Sequence, residues 1–292
     1  MQPLVSVLIP AYGEAPFIAQ TLTSVYSQSY DNFEILVLYS KPEPKTLSTL
    51  QQFKIKSGRL EIFQLKESVN LGAALNIGLS RSNGSYISRI DSDDLMVYDR
   101  LQSQVDFLER HTEVVLVGGQ KVHIDKANRI INVPPSHPKS SFFIKLLLKN
   151  GYCPIVHPSV MFRRHSALSA GGYSEELAYA EDYEFWTRLS VFGKFQNLKE
   201  VFVAYRIHDQ NKSGKDPTDV SHLKEIMKTN VQATSYATSI IKKLTNVLLL
   251  SLYHSFELVI KKCLGNYVKI LNKGNRKLTL EKYLMQRKSF FS

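Results

Sequence analysis

The sequence predicts an α/β protein: a mostly parallel sheet flanked by helices, followed by a C-terminal helical extension. Three observations carry this. Residues 5–9 and 35–38 are continuous apolar runs, the pattern of strands buried on both faces. Between such runs lie segments with apolar residues at helical spacing, as in Leu71, Leu75 and Leu79. A further short strand, residues 85–90, runs out into three carboxylates, Asp91, Asp93 and Asp94. Strands alternating with amphipathic helices build parallel sheets, and such sheets bind ligands at the carboxyl ends of their strands.

In chain order, Pro10 is expected to end the first strand and residues 11–14 to form a turn. Pro16 stands near the first turn of a helix with Ile18, Leu22, Val25 and Tyr26 on one face. After the second strand, Leu47, Leu50 and Phe53 mark a helix, and residues 60–63 a third strand. Residues 70–80 are helical and precede the strand that ends in carboxylates. Leu101, Val105 and Leu108 define another helix, residues 114–117 another strand, and Ser141–Lys149 a further helix. Residues 10–14, 39–41 and 91–94 would then share one rim.

The length of 292 residues and a hydrophobic share of 43% suit one large α/β domain with an appendage. Only Cys153 and Cys263 are present, so no disulfide framework is implied and a reducing compartment is expected. The chain enters a strand-like run at once, which argues against a signal peptide, and no window offers about 18 uncharged apolar residues for a spanning helix. The net charge is +11, yet residues 212–292 hold fifteen Lys/Arg against five Asp/Glu, so the body is near neutral. A basic tail suits an anionic partner or a solvated helical face. Nucleic acid is not expected, because neither aromatic platforms nor a binding motif accompanies the charge. No G-x-G-x-x-G, no P-loop motif, no H-E-x-x-H and no Cys/His cluster occurs.

Asp91 and Asp93, one residue apart at a strand end, point toward one small volume. Carboxylates packed that closely repel each other, and a hard cation such as Mg²⁺, ligated by one or two carboxylates plus substrate phosphates, is the usual remedy. The alternative is a solvated acidic turn or a helix N-cap.

Seven blocks occur in order: VSVLIPAYGE (5–14), NLGAALNIGL (70–79), RIDSDD (89–94), HPSVMFRR (157–164), GGYSEE (171–176), AEDYEFWTRL (180–189) and YRIHDQNKS (205–213). Together they resemble glycosyltransferase family 2, inverting nucleotide-sugar enzymes with the Rossmann-like GT-A fold, most of all the members that build bacterial surface polysaccharides. The resemblance covers residues 4–213. It implies a GT-A domain over 1–213, with a nucleotide-binding half at 1–118 and an acceptor-binding half at 119–213, ahead of a basic helical extension at 214–292. It implies a nucleoside-diphosphate sugar as donor, UDP-linked, a glycan or lipid-linked glycan as acceptor, and Mn²⁺ or Mg²⁺ as cofactor.

By that resemblance Asp93 matches the metal-ligating position, and His208 a position that closes over the diphosphate or metal. Asp91 matches the position nearer the ribose and metal shell; Asp94 orders the turn. Pro10, Ala11, Tyr12 and Glu14 match the nucleotide-binding turn. Arg89 either pairs with Asp91 or reaches the diphosphate. Asp182 matches the general base, with Glu181 assisting or binding acceptor. His157 shapes the acceptor pocket or simply packs, and Gly171-Gly172 makes a turn below it. One departure stands out. The family usually has two acids and a glycine after the second strand, one acid reading the uracil ring; here the residues are Tyr39-Ser40-Lys41, with Ser40 in the place of that acid. Tyr39 either stacks on a base or belongs to the core. This departure motivates an alternative: a GT-A domain that holds nucleotide or glycan without turnover.

Beyond residue 213, Ile240, Ile241, Leu244, Val247, Leu248 and Leu252 make a broad apolar face, continued by Leu258, Val259 and Leu264 and flanked by Lys242, Lys243, Lys261 and Lys262. Such basic amphipathic helices either lie in a membrane interface or pack on the catalytic domain or on a second copy, giving a homodimer. The expected location is cytoplasmic, with peripheral attachment to the inner face of the cytoplasmic membrane in the first case.

Overall fold

The computed structural model describes residues 2–177, 179–209 and 211; the basic extension expected at 214–292 lies outside the described residues. Strands β1 (Val5–Tyr12), β2 (Phe33–Ser40), β3 (Leu60–Leu65) and β4 (Tyr86–Arg89) pair in parallel in the order β3-β2-β1-β4. Helices α1 (Ile18–Tyr26), α2 (Pro44–Ser57) and α3 (Leu71–Arg81) supply the crossovers. Residues 5–9 are all buried because both faces of the sheet are covered. One core lies under α1, α2 and α4 (Arg100–Arg110), with Val5, Val7, Ile9, Leu22, Leu50 and Leu101. The other lies under α3, α5 (Ser141–Lys149) and α7 (Glu181–Leu189), with Leu8, Leu36, Leu75, Leu148, Phe162 and Trp186. Each such side chain stabilises the fold by about 1.5–3 kcal/mol.

Pro10 does not end β1. The strand runs on to Tyr12, paired with β2 through Tyr12↔Ser40. In a parallel ladder alternate residues turn their N–H and C=O to the same neighbour. Leu4 and Leu8 accept from Tyr86 and Ile90 on the β4 side, so Pro10 faces that side too. The β4 ladder stops at Leu8↔Arg89, leaving no hydrogen bond for the missing N–H to forfeit.

The second half contributes β5 (Leu95–Met96), β6 (Val114–Ile124), β7 (Ile130–Asn132), β8 (Met161–Arg163) and β9 (Lys194–Arg206), with α6 (Arg164–Ser169) after β8. The strand order continues β4-β8-β6-β9-β5, and β7 pairs with β6. The β6–β9 ladder is parallel; those involving β5, β7 and β8 are antiparallel. The sheet is therefore mixed rather than uniformly parallel, though parallel pairing dominates. The three antiparallel strands span two or three residues each, too few to leave a period in the sequence. Five residues link β4 to β5, which stand four places apart in the order, so the sheet curls and the acidic turn bridges its two halves.

Two sequence blocks a hundred residues apart explain each other. The Asn70 side chain caps α3, accepting from the Ala73 N–H at 2.8 Å, and donates to the Glu175 carbonyl at 2.5 Å. Asn76 pairs with both backbone groups of Tyr173, at 2.7 and 2.9 Å. A Cβ on Gly72 would sit 2.3 Å from the Ser174 carbonyl oxygen, so only glycine lets the two segments meet. Gly172, at φ +68°, makes the turn on the other side.

Arg100 is fully buried. It donates to the Pro158, Arg89 and Val160 carbonyls at 2.8, 2.9 and 3.0 Å, and to Gln104 Oε1 at 3.0 Å. Burial and then the Arg89 charge pull its pKa down to about 9, which leaves it protonated at neutral pH. This one side chain ties the end of β4 to the single 3₁₀ turn His157–Ser159. Arg100→Leu should lower stability by about 3 kcal/mol, because it strands buried carbonyls; a reduced urea midpoint at unchanged slope is the expected result.

Candidate active site

The carboxylate oxygens of Asp91, Asp93 and Asp94 lie within 4.8 Å of one another. Arg89, buried at the end of β4, grips Asp91 with both terminal nitrogens: Nη1 donates to Oδ2 at 2.8 Å and Nη2 to Oδ1. Of its two expected roles, the structure gives Arg89 the pairing with Asp91. Asp94 is fully buried; its Oδ1 accepts the Arg206 backbone N–H at 2.9 Å, while Oδ2 has no partner among the described residues. Burial, then the Asp91 and Asp93 charges, pushes the Asp94 carboxyl well above its ordinary range. Asp91 is raised as well, since burial outweighs Arg89. A buried carboxylate oxygen left without a partner, among three acids short of positive charge, fits a hard divalent cation, and an oxygen-rich donor set suits Mg²⁺ or Mn²⁺.

The turn is held from both sides. Thr21 Oγ1 in α1 donates to the Ser92 and Asp94 carbonyls at 3.0 and 2.8 Å. From the end of β9, the buried Arg206 donates through Nε to the Asp93 carbonyl at 2.7 Å and through Nη2 to Gln20 Oε1 at 3.0 Å. Its guanidinium stacks 4.3 Å from the centre of the Phe17 ring, and His208 packs on the same ring at 5.4 Å. His208 Nε2 lies 2.8 Å from Asp93 Oδ2. Asn211 closes the turn, accepting from the His208 N–H and donating to the Arg206 carbonyl. The structure thus brings Asp93 and His208 together across 115 residues.

Glu181 and Asp182 open α7. The preceding Ala180 sits at φ +61°, a left-handed conformation uncommon for a residue with a Cβ, and starts the helix abruptly. Asp182 Oδ1 accepts the Tyr183 N–H at 2.7 Å. The side chain of Asp182 is 24% exposed and that of Glu181 is 11%. Burial and then the Asp182 charge raise Glu181 to about 7; burial raises Asp182 also. His157 Nδ1 is 3.9 Å from both carboxylates, too long for a hydrogen bond. Its Nε2 lies 3.1 Å from the Tyr173 hydroxyl. Burial and then Arg89 hold its pKa well below normal, so it is neutral. The Arg89 charge acts on Glu181 and Asp182, and the Asp182 charge on Asp91. Both acid groups therefore lie within electrostatic reach of one buried arginine.

At the carboxyl ends of β1 and β2, Ala11 is buried, and Tyr12, paired with Ser40 across the strands, is half-exposed. The Tyr12 hydroxyl donates to Glu67 Oε1 at 3.1 Å, and Lys41 Nζ reaches the same oxygen at 3.2 Å. Glu14 is exposed beyond the strand end. Tyr39 belongs to the core: it is fully buried, its hydroxyl donating to the Gly13 carbonyl at 2.9 Å. Ser40 is buried as well. Sequence reasoning missed Arg206, Arg100, Tyr173 and Glu67. Arg206 stood inside a quoted block, next but one to His208, yet a lone arginine carries no signal of what it will hold.

Structural comparison places this arrangement in a class. S. aureus TarS 1-349 in complex with UDP-GlcNAc superposes with a TM-score of 0.64 at 19% identity, over 86% of this chain and 73% of the other. Against the longer S. aureus TarS chain, this protein spans 42% of its length. The fold is that of GT-A glycosyltransferases. In sequence, the model of the family described as Glycosyl transferase family 2 matches residues 6–172. A Haemophilus influenzae glycosyltransferase is 29% identical over 269 residues, 86% of this chain and 81% of the relative. The amylovoran biosynthesis glycosyltransferase AmsE of Erwinia amylovora is 33% identical over 206 residues, 69% of this chain and 75% of AmsE. The chain belongs to glycosyl transferase family 2, and it is a glycosyltransferase.

The raised carboxyl of Asp94 has a consequence for stability. A carboxyl whose pKa is higher folded than unfolded binds its proton more tightly in the native state, so stability falls as pH rises from the unfolded pKa toward the folded one. Asp94→Asn removes that buried charge and keeps an acceptor for the Arg206 N–H. In EDTA at pH 7 the variant should melt a few degrees higher than the native protein, with the difference vanishing toward pH 4. A lower melting temperature at pH 7 would refute this account of the turn.

Proposed function

We propose that the protein transfers a sugar, with inversion, from a nucleoside-diphosphate donor, UDP-linked, to a glycan or lipid-linked glycan acceptor in surface polysaccharide biosynthesis. The observation that carries this is the convergence of two acid groups on one arginine: Arg89 grips Asp91 and also acts on Glu181 and Asp182. A leaving diphosphate and an acceptor hydroxyl must be served in one aligned step, and two acid groups within reach of one arginine suit that task. Support also comes from AmsE, named for amylovoran biosynthesis, and from TarS 1-349 in complex with UDP and with UDP-GlcNAc.

Asp93, His208 and Asp91 would hold Mn²⁺ or Mg²⁺, which when bound supplies positive charge to the leaving diphosphate. Pro10, Ala11, Tyr12, Glu14 and Ser40 line the nucleotide end. Asp182 takes the proton of the acceptor hydroxyl. The oxygen then forms its bond to the anomeric carbon as the bond from that carbon to the diphosphate oxygen breaks, and the diphosphate leaves with the electron pair. Attack from the opposite face inverts the anomeric centre. Glu181, still protonated near neutral pH, donates a hydrogen bond to the acceptor, and neutral His157, held by Tyr173, packs behind both acids.

A base works only when ionised, so turnover should fall as pH drops through the raised pKa of Asp182, and it should fall on the alkaline side as Glu181 loses its proton near 7. Glu181→Gln should keep the acid limb and most of the rate and lose the alkaline fall. Asp182→Asn should lose about 10²–10⁴-fold at every pH. Initial rates of donor consumption between pH 5 and 9 check both; a full rate in Asp182→Asn removes it as the base.

The donor is tested by a melting screen of nucleotides and nucleotide sugars with Mn²⁺, since a ligand that binds only the native state raises the transition. UDP and one UDP-sugar should give the largest shifts, and Asp93→Ala should lose the metal-dependent part. A larger shift with a purine nucleotide would overturn the uridine assignment.

A further inference from the structure

Near the acidic turn, one face of the β6–β9 pair carries a group of side chains that the transfer step does not use. Lys121 and His123 of β6 project to the same face, because side chains alternate along a strand, and the register sets His123 beside Tyr205 of β9. Lys121 Nζ lies 4.8 Å from the centre of the Tyr205 ring, and the His123 and Tyr205 rings are 5.8 Å apart. His137, in the segment after β7, is held by its backbone N–H to Gln120 Oε1 at 2.7 Å and lies within reach of the Lys121 charge. Burial, then the Lys121 charge, lowers His137 to about 4, and the same two causes lower His123, so both rings are neutral.

These groups are under-satisfied. His123 Nε2 is buried with no hydrogen-bond partner among the described residues. Lys121 is partly buried, and its basicity is lowered by that burial. Among the described residues it forms no salt bridge; the carboxylate charge that acts on it is that of Asp94, which is itself bonded to the Arg206 N–H.

We propose that Lys121 and His123 form an acceptor subsite for an anionic group, a carboxylate or phosphate borne by the acceptor. This rests on the transferase function proposed above. An ammonium partly stripped of water gains a counter-charge from an anion, and an imidazole N–H gains an acceptor. A neutral sugar hydroxyl satisfies the imidazole but leaves the ammonium uncompensated, so the site discriminates by charge. Lys121 is close enough to the acidic turn for Asp94 to act on it, which puts the subsite beside the reacting centre.

The probes are methyl glucuronide, glycerol phosphate and, as neutral control, methyl glucoside. Each is titrated by saturation-transfer NMR into the full chain, with and without UDP and Mg²⁺. One of the anionic probes should bind about tenfold tighter than the glucoside or better, a preference lost in Lys121→Met and kept in Lys121→Arg. Preference for the glucuronide assigns the anion to a sugar carboxylate; preference for glycerol phosphate assigns it to a phosphate. Equal affinity for all three, no binding by any, or a preference that survives Lys121→Met overturns the subsite. UDP binding by each variant reports that it is folded. Failure of UDP to bind the native protein would sink the donor assignment instead, and the nucleotide-free titrations would still judge the subsite.

Discussion

Three carboxylates within 4.8 Å of one another at the end of a four-residue strand repel each other, and the surrounding fold is built against that repulsion. At an effective dielectric of about 20, two unit charges at that separation oppose each other by about 3 kcal/mol. The groups that answer it come from different parts of the chain. Arg89 on β4 takes Asp91, His208 takes Asp93, and Arg206 on β9 supplies a backbone N–H to Asp94 and its Nε to the Asp93 carbonyl. Arg100 on α4 touches none of the three carboxylates but holds the backbone from which they project.

That requirement makes the second half of the chain a condition of the first. The parallel half ends its β4 ladder at Arg89, and from there to β5 the chain depends on β9 for pairing and on Arg206 for charge. The GGYSEE block docks onto α3 through Gly72, Asn70 and Asn76. Arg188 then ties α7 to the same turn by donating to the Gly172 carbonyl at 2.6 Å. The helix bearing Glu181 and Asp182 is therefore positioned by residues around 70–76, which lie in the parallel half. Neither acid group could hold its place if the two halves were separate units.

What the sequence made legible follows from this division. Strands buried on both faces declare themselves as apolar runs, and α3 and α5 show helical spacing, so the parallel half and the rim were readable from local pattern. The seven ordered blocks singled out Asp93, His208 and Asp182, and of these Asp93 and His208 meet. The two- and three-residue strands left no period to read. Buried arginines left none either: Arg100 and Arg206 look like solvent residues in sequence, and their partners lie as much as 186 positions away. Pro10 misled because its effect depends on which neighbour its missing N–H would have faced, a fact of register rather than composition. The residues after β2 were ambiguous for a related reason. Whether Tyr39 stacks on a base or fills the core depends on the face it takes, and its hydrogen bond to the Gly13 carbonyl puts it inside.

The acids at the start of α7 differ from those after β4 in how they are compensated. Arg89 is committed to Asp91 through two hydrogen bonds, so its charge reaches Glu181 and Asp182 only at longer range. What remains to them is the positive end of a nine-residue helix and the Tyr183 N–H, which goes to Asp182. Burial exceeds both contributions at Glu181, and the two neighbouring carboxyls cannot readily ionise together. One proton therefore stays on the pair near neutral pH: backbone N–H groups stabilise the charged form of both acids, from two residues at Asp182 and from one at Glu181, and the less exposed Glu181 side chain, raised to about 7, keeps the proton. An ionised acceptor beside a protonated donor thus arises from unequal solvation at consecutive positions of one helix turn, without any third ionisable partner in hydrogen-bond contact.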